Sequence, residues 1–150
     1  MNTVPDRLRI NNRQPDNEFD DNAEDLYRRV PSEYWPIRSD TLPILLSIPL
    51  SVARGRYCES PTDVLFPSYS SDGVISWTVG DIPSHVREGK AQTFLRLEHC
   101  PENDFYPHSE IRAYKSLDEV PLKKLKSKPL KAKIRQLLAQ KALDRHSPSS

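Results

Sequence analysis

The chain is 150 residues long, enough for one domain with a modest core and too short for two. Apolar residues make up 36% and there are only 4 glycines, below the roughly 45–50% apolar share of ordinary globular domains, while 14 prolines are close to twice the usual proportion. The formal charge of +1 selects no partner class, and glycines confined to positions 55, 73, 80 and 89 exclude a GxGxxG dinucleotide fingerprint, a Walker-type phosphate loop and a GxSxG nucleophile elbow in their usual form.

The near neutrality is a cancellation. Residues 1–25 carry Arg7, Arg9 and Arg13 against seven acids, net −4, whereas residues 121–150 carry nine basic groups against Asp144, net +8. Residues 1–22 are polar and nearly free of large apolar groups, which predicts a disordered acidic arm outside the domain. The opposite charges also suggest that the arm shields the basic tail in cis. The N-terminal stretch has no apolar signal segment, so a cytoplasmic location is expected. The longest apolar run, 42–53, is broken by Pro43, Ser47, Pro49 and Ser51 and falls far short of a membrane span.

The single folded domain is expected over 23–146, with a frayed end at 147–150. Leu26 and Val30 share a helical face, yet Pro31 ends the segment at once, so a short helical turn and a strand are both allowed. Ile44–Ser47 and Leu50–Arg54 read as extended, because Pro49 inside a helix costs about 3 kcal/mol. Ser60-Pro61-Thr62-Asp63 has the look of a helix start, with a serine cap, proline at the first position and an acid facing the dipole. Residues 74–79 are β-branched and aromatic, bounded by glycines, and predict a strand. Period-two alternation predicts two more strands, over 92–99 and 109–115. In the tail Leu130, Ile134, Leu137, Leu138 and Ala142 form one helical stripe behind Ser127 and Pro129.

Candidate chemistry gathers on the 108–114 segment. Period-two spacing puts His108, Glu110, Arg112 and Tyr114 on one sheet face, about 7 Å apart along the strand. A base, an orienting carboxylate and an anion clamp can be drawn from them, with Arg28 as a further candidate. The plain alternative is a solvated face carrying a Glu110–Arg112 ion pair of little energetic weight. His99, Cys100, His108 and Glu110 match no zinc template, and no metal or cofactor is expected. His99 and Cys100, adjacent on a strand, point to opposite faces and make no dyad with each other. Cys58, beside Arg54 and Arg56, is either a thiol of depressed pKa or small core filler. Lys123, Lys124, Lys126 and Lys131 belong to a basic tail able to meet phosphates, although its leucine stripe favours docking on the domain or on a partner.

Leu26-Tyr27-Arg28-Arg29-Val30-Pro31 and Pro107-His108-Ser109-Glu110-Ile111-Arg112, the latter followed by Tyr114-Lys115 and a basic tail, resemble a family of small bacterial proteins over about residues 24–142. The resemblance implies a single bacterial cytosolic domain and carries no catalytic role over to His108 or Glu110. Related sequences often place a small-residue string ending in phenylalanine between the two motifs, where this chain has Pro49-Leu50-Ser51-Val52-Ala53. Leu26-Tyr27-Arg28 is also similar to the first strand of ADP-ribosyltransferase-like folds, whose arginine reaches the dinucleotide, but no second motif accompanies it.

These observations lead to an α+β domain: a small antiparallel sheet, short helices and a C-terminal amphipathic helix packed on the sheet or on a partner. The absence of a catalytic motif favours a non-enzymatic protein-interaction or regulatory module. The alternatives are a nucleic-acid-associated accessory protein using the basic helix, and a small enzyme or ligand binder using His108, Glu110 and Arg28.

Overall fold

The computed structural model describes residues 4–37, 42–66, 69–115, 121–122 and 125–148. The three alternating segments form strands Gly73–Thr78, Ala91–His99 and His108–Tyr114, and Leu50–Arg54 is extended as expected. In chain order the strands are β1 (Asp25–Val30), β2 (Leu50–Arg54), β3 (Gly73–Thr78), β4 (His85–Glu88), β5 (Ala91–His99), β6 (His108–Tyr114) and β7 (Leu143–His146), and one helix, α1, spans Lys128–Lys141. They build a seven-stranded sheet in the order β4-β5-β6-β2-β1-β3-β7, antiparallel at every pairing. The α+β expectation holds in coarse form, with the sheet dominant and most other short turns 3-10.

The helix lies on one face of this sheet. Leu130, Ile134 and Leu138 are buried against Leu26, Val52, Trp77, Leu95 and Ile111, each large side chain contributing about 1.5–3 kcal/mol. Trp77 Nε1 donates to the Leu138 carbonyl at 2.7 Å, which satisfies the indole inside the core. Ser127 caps the helix as expected, its hydroxyl accepting from the Leu130 N–H. On the outer side Lys133 donates to the Arg87 carbonyl and lies 3.4 Å from Glu88, and Arg135 donates to Ser47. A second, smaller cluster on the other face holds Tyr27, Ala53, Leu65 and Val74.

Several expectations are corrected. Ile44 and Leu45, expected to begin an extended segment running to Ser47, belong instead to a 3-10 turn at Leu42–Leu45; Pro43, with its preset φ, suits a first helical turn. Ser60 makes no cap bond to the turn at Pro61–Leu65 and bonds Thr62 instead, while Asp63 accepts from the Glu59 N–H and from Arg7. The helix stops at Lys141, and Leu143–His146 turns back as an edge strand on β3.

Residues 4–22, expected to be a free arm, lie against the domain. Leu8 is fully buried, and its carbonyl accepts from the Tyr106 N–H. Arg7 forms a two-pronged pair with Asp63. Arg54, wholly buried, is held by Glu24 at 2.6 Å and 2.9 Å, donates to the carbonyls of Asp16 and Glu18, and stacks over Phe19 at 3.9 Å. Of the arm's acids, Asp16 pairs with Arg54 and Arg56 and Asp20 with Arg56, while Asp25, counted in the same acidic stretch, reaches Arg145 of the basic tail. Among the described residues the acidic stretch thus meets the basic tail only at Asp25–Arg145, and the arm is held mainly by arginines of the domain and by backbone groups.

Candidate functional site

The centre of the sheet contains an incomplete seam. β1 pairs with β2 only at Leu26–Arg54 and Tyr27–Ala53, then continues along β3 to Val30–Gly73, while β2 continues along β6 to Leu50–Ile111. The side chain of Arg28 fills the opening, its Nη1 donating to the Ser51 carbonyl at 2.9 Å and its Nη2 to the Leu45 carbonyl at 3.2 Å. A guanidinium thus satisfies a strand carbonyl that a neighbouring N–H satisfies elsewhere in a sheet.

Among the described residues this charge has no counter-ion. Both partners of Arg28 are neutral carbonyls, and among the described residues no carboxylate pairs with it. Burial, reinforced by the like charge of Arg29, holds its pKa below the usual arginine value. Arg29 itself is neutralised, donating to Asp72 at 2.5 Å and lying over the Tyr69 ring at 4.0 Å.

Above the seam lies a cleft of about 460 Å³, lined by Arg28 and Arg29 on one side, His108, Glu102 and Phe105 on the other, with Tyr27, Ser51, Ala53, Val64 and Phe66 between and around them. That volume is within the usual range for small-molecule sites. The floor comes from β2, whose outward positions are the small residues Ser51 and Ala53. Register places Tyr27, Ala53 and His108 in one row across three strands. Two strand spacings, roughly 10 Å, therefore separate Tyr27 from His108, and Ala53 between them is buried in the cluster against which Val64 and Phe105 pack.

The tautomer of His108 follows from its partners. Nδ1 is 3.0 Å from the Cys100 carbonyl, an acceptor only, so Nδ1 carries the hydrogen and Nε2 is left as an acceptor. Cys100 Sγ sits 3.5 Å from the same Nδ1, bringing this cysteine beside a histidine other than its sequence neighbour. Burial, with Glu110 nearby, pushes the Cys100 thiol up to about 11. Cys58, weighed above as a thiol of depressed pKa, is instead pushed up to about 12 by burial and by Asp63.

Of the residues singled out from the sequence, His108 and Arg28 meet in the cleft. Glu110 and Arg112 do not line it: they pair with each other at 2.9 Å, as the solvated-face alternative has it. Tyr114 is buried and donates to Glu98, under the Arg96 guanidinium. Lys126 is exposed, and Lys131 borders a separate cavity of about 230 Å³ between Leu46–Ile48 and α1. Lys123 and Lys124 lie outside the described residues. Among the described residues no three His, Cys, Asp or Glu side chains are placed to hold a metal ion. Sequence reasoning missed Arg29, Phe66, Phe105 and the β2 floor. The alternation of large Leu50 and Val52 with small Ser51 and Ala53 was the available signal.

No described helix is long and apolar enough to cross a membrane. Comparison with protein-family models, with curated proteins and with solved structures finds no match for this chain.

Proposed function

We propose that the protein binds an anionic small molecule in the cleft over the β1–β2 seam. The observation that carries this reading is the part-buried guanidinium of Arg28, without a counter-ion among the described residues, in the wall of a cleft that also contains Arg29 and His108. Partial burial without a carboxylate partner disfavours the charged form, and a bound anion supplies the missing negative charge. The backbone holds Arg28 in place through two carbonyls, which limits the ordering needed on binding.

The interaction-module reading drew on two charged, adaptable ends. Here Asp16 and Asp20 of the arm are engaged by Arg54 and Arg56, and the apolar stripe of α1 is packed on the sheet, which removes part of that support. The nucleic-acid reading rests on the tail lysines, of which Lys126 and Lys128 are exposed.

The test is thermal unfolding of the full chain with increasing inorganic phosphate or benzoate, for the native protein and Arg28→Met. The native protein is expected to be stabilised by the anion, as mass action requires of a ligand that binds only the folded state. Arg28→Met is expected to lose that response, and to melt somewhat lower without ligand because the Ser51 and Leu45 carbonyls lose their donor. An equal anion response in Arg28→Met, or none in the native protein, overturns the reading.

A further inference from the structure

The two walls of the cleft differ in hydrogen-bonding character. The β1 wall offers the guanidinium of Arg28, beside Arg29 in its pair with Asp72. The opposite wall offers acceptors: Nε2 of His108, left bare because Nδ1–H is committed to the Cys100 carbonyl, and the carboxylate of Glu102. These two belong to one loop end, since Phe105 bridges to Glu102 and accepts from the His108 N–H. Such a cleft is polar in one direction. It takes an anion at the β1 end and a hydrogen-bond donor at the His108 end, and Glu102 repels a ligand with negative charge at both ends.

The space between the walls is bordered by aromatic side chains, Phe66, Phe105 and the ring of His108. Aromatic faces favour a planar ring over a puckered one of equal size, through stacked and edge-on contact.

On the basis of the anion reading above, we propose that the ligand class is an aromatic acid: a planar ring with a carboxylate or phosphate at one end, bound by Arg28, and a hydroxyl or amino donor at the other, received by His108 Nε2. In this assignment His108 is a specificity determinant, because a bound ligand without the donor leaves the part-buried acceptor unpaired.

Calorimetric titration of the full chain at neutral pH tests it, using benzoate, para-hydroxybenzoate, para-methoxybenzoate, cyclohexanecarboxylate and inorganic phosphate as probes. The expected result is that para-hydroxybenzoate binds about tenfold or more tightly than para-methoxybenzoate, that benzoate outbinds cyclohexanecarboxylate, and that His108→Phe brings the hydroxy-to-methoxy ratio close to one. If the anions bind through Arg28 but the ratio in the native protein is already near one, or survives in His108→Phe, the donor assignment is overturned while the anion reading stands. Equal binding of cyclohexanecarboxylate and benzoate overturns the planar-ring assignment in the same way. Binding of no probe, phosphate included, overturns both. The ratio in the native protein is decisive even where His108→Phe fails to fold.

Discussion

Nδ1 of His99 accepts the backbone N–H of Asp16 at 2.7 Å, although the two residues are 83 positions apart. The other ring nitrogen donates to the Tyr106 carbonyl at 2.7 Å, so the buried imidazole is neutral and both its nitrogens are used. Burial lowers its pKa, assisted by the charge of Arg54, while Asp16 and the Tyr106 carbonyl oppose the shift. Tyr57 stacks on the ring and Tyr106 meets it edge-on. The unfolded chain therefore binds a proton at His99 more readily than the native one, and stability falls with falling pH. The contribution of neutral His99 is complete above its ordinary value of about 6.5 and declines toward the lowered native value. The urea midpoint is expected to drop between about pH 7 and 5 in the native protein and to drop less in His99→Gln. Equal drops in both would assign the loss to other groups.

The ion pair of Arg54 and Glu24 is the anchor of the arm. Glu24→Gln leaves the guanidinium buried with one fewer charge partner, and loss of one member of such a pair costs about 3–5 kcal/mol. Trypsin is expected to cut after Arg7, Arg9 and Arg13 faster in Glu24→Gln than in the native protein, because Arg54 also holds the carbonyls of Asp16 and Glu18. Unchanged cleavage would show that Leu8 and the Arg7–Asp63 pair suffice to hold the arm.

Gly73 has a steric requirement. A Cβ added there would lie 2.4 Å from Cζ3 of Trp35, in the row where Gly73 pairs with Val30. Gly73→Ala must displace a ring that packs on the main core, at a cost of about 1–3 kcal/mol. A lower melting temperature with altered tryptophan emission is the expected outcome, and an unchanged melting temperature would mean that the ring moves aside freely.

Both thiols are protonated at neutral pH, with Cys58 at about 12 and Cys100 at about 11. Iodoacetamide is expected to label them slowly in the native protein and rapidly in urea. Fast native labelling of Cys58 would restore the activated-thiol reading that Arg54 and Arg56 suggest from the sequence. Arg54 is committed to Glu24, which leaves that suggestion without its cation.

What was legible in the sequence followed from periodicity. β3, β5 and β6 and the helix stripe show it because each presents several apolar side chains to the core at regular spacing. β4 and β7 do not, since edge strands bury little: only Val86 of β4 is buried, and no residue of β7 is. β1 was ambiguous because Arg28 occupies the central inward position between Leu26 and Val30, where a hydrophobe would have completed the pattern. The same departure from pattern marks the site, as functional positions often do. His108 and Arg28 were identifiable separately by residue type. Their meeting was not, because it depends on β2 carrying small residues between them and on a strand order that no local spacing encodes.

β7 covers the outer edge of β3, and Arg145 on it reaches back to Asp25 at the start of β1. Six strands leave the ribosome before this one. During that interval β1, β2 and β3 can already be paired while the free N–H and C=O groups of β3 remain open to any passing strand. The period between synthesis of β6 and arrival of residues 143–146 is thus when the nascent chain is most exposed to misassociation, and a chain stopped just short of Leu143 would carry that sticky edge permanently.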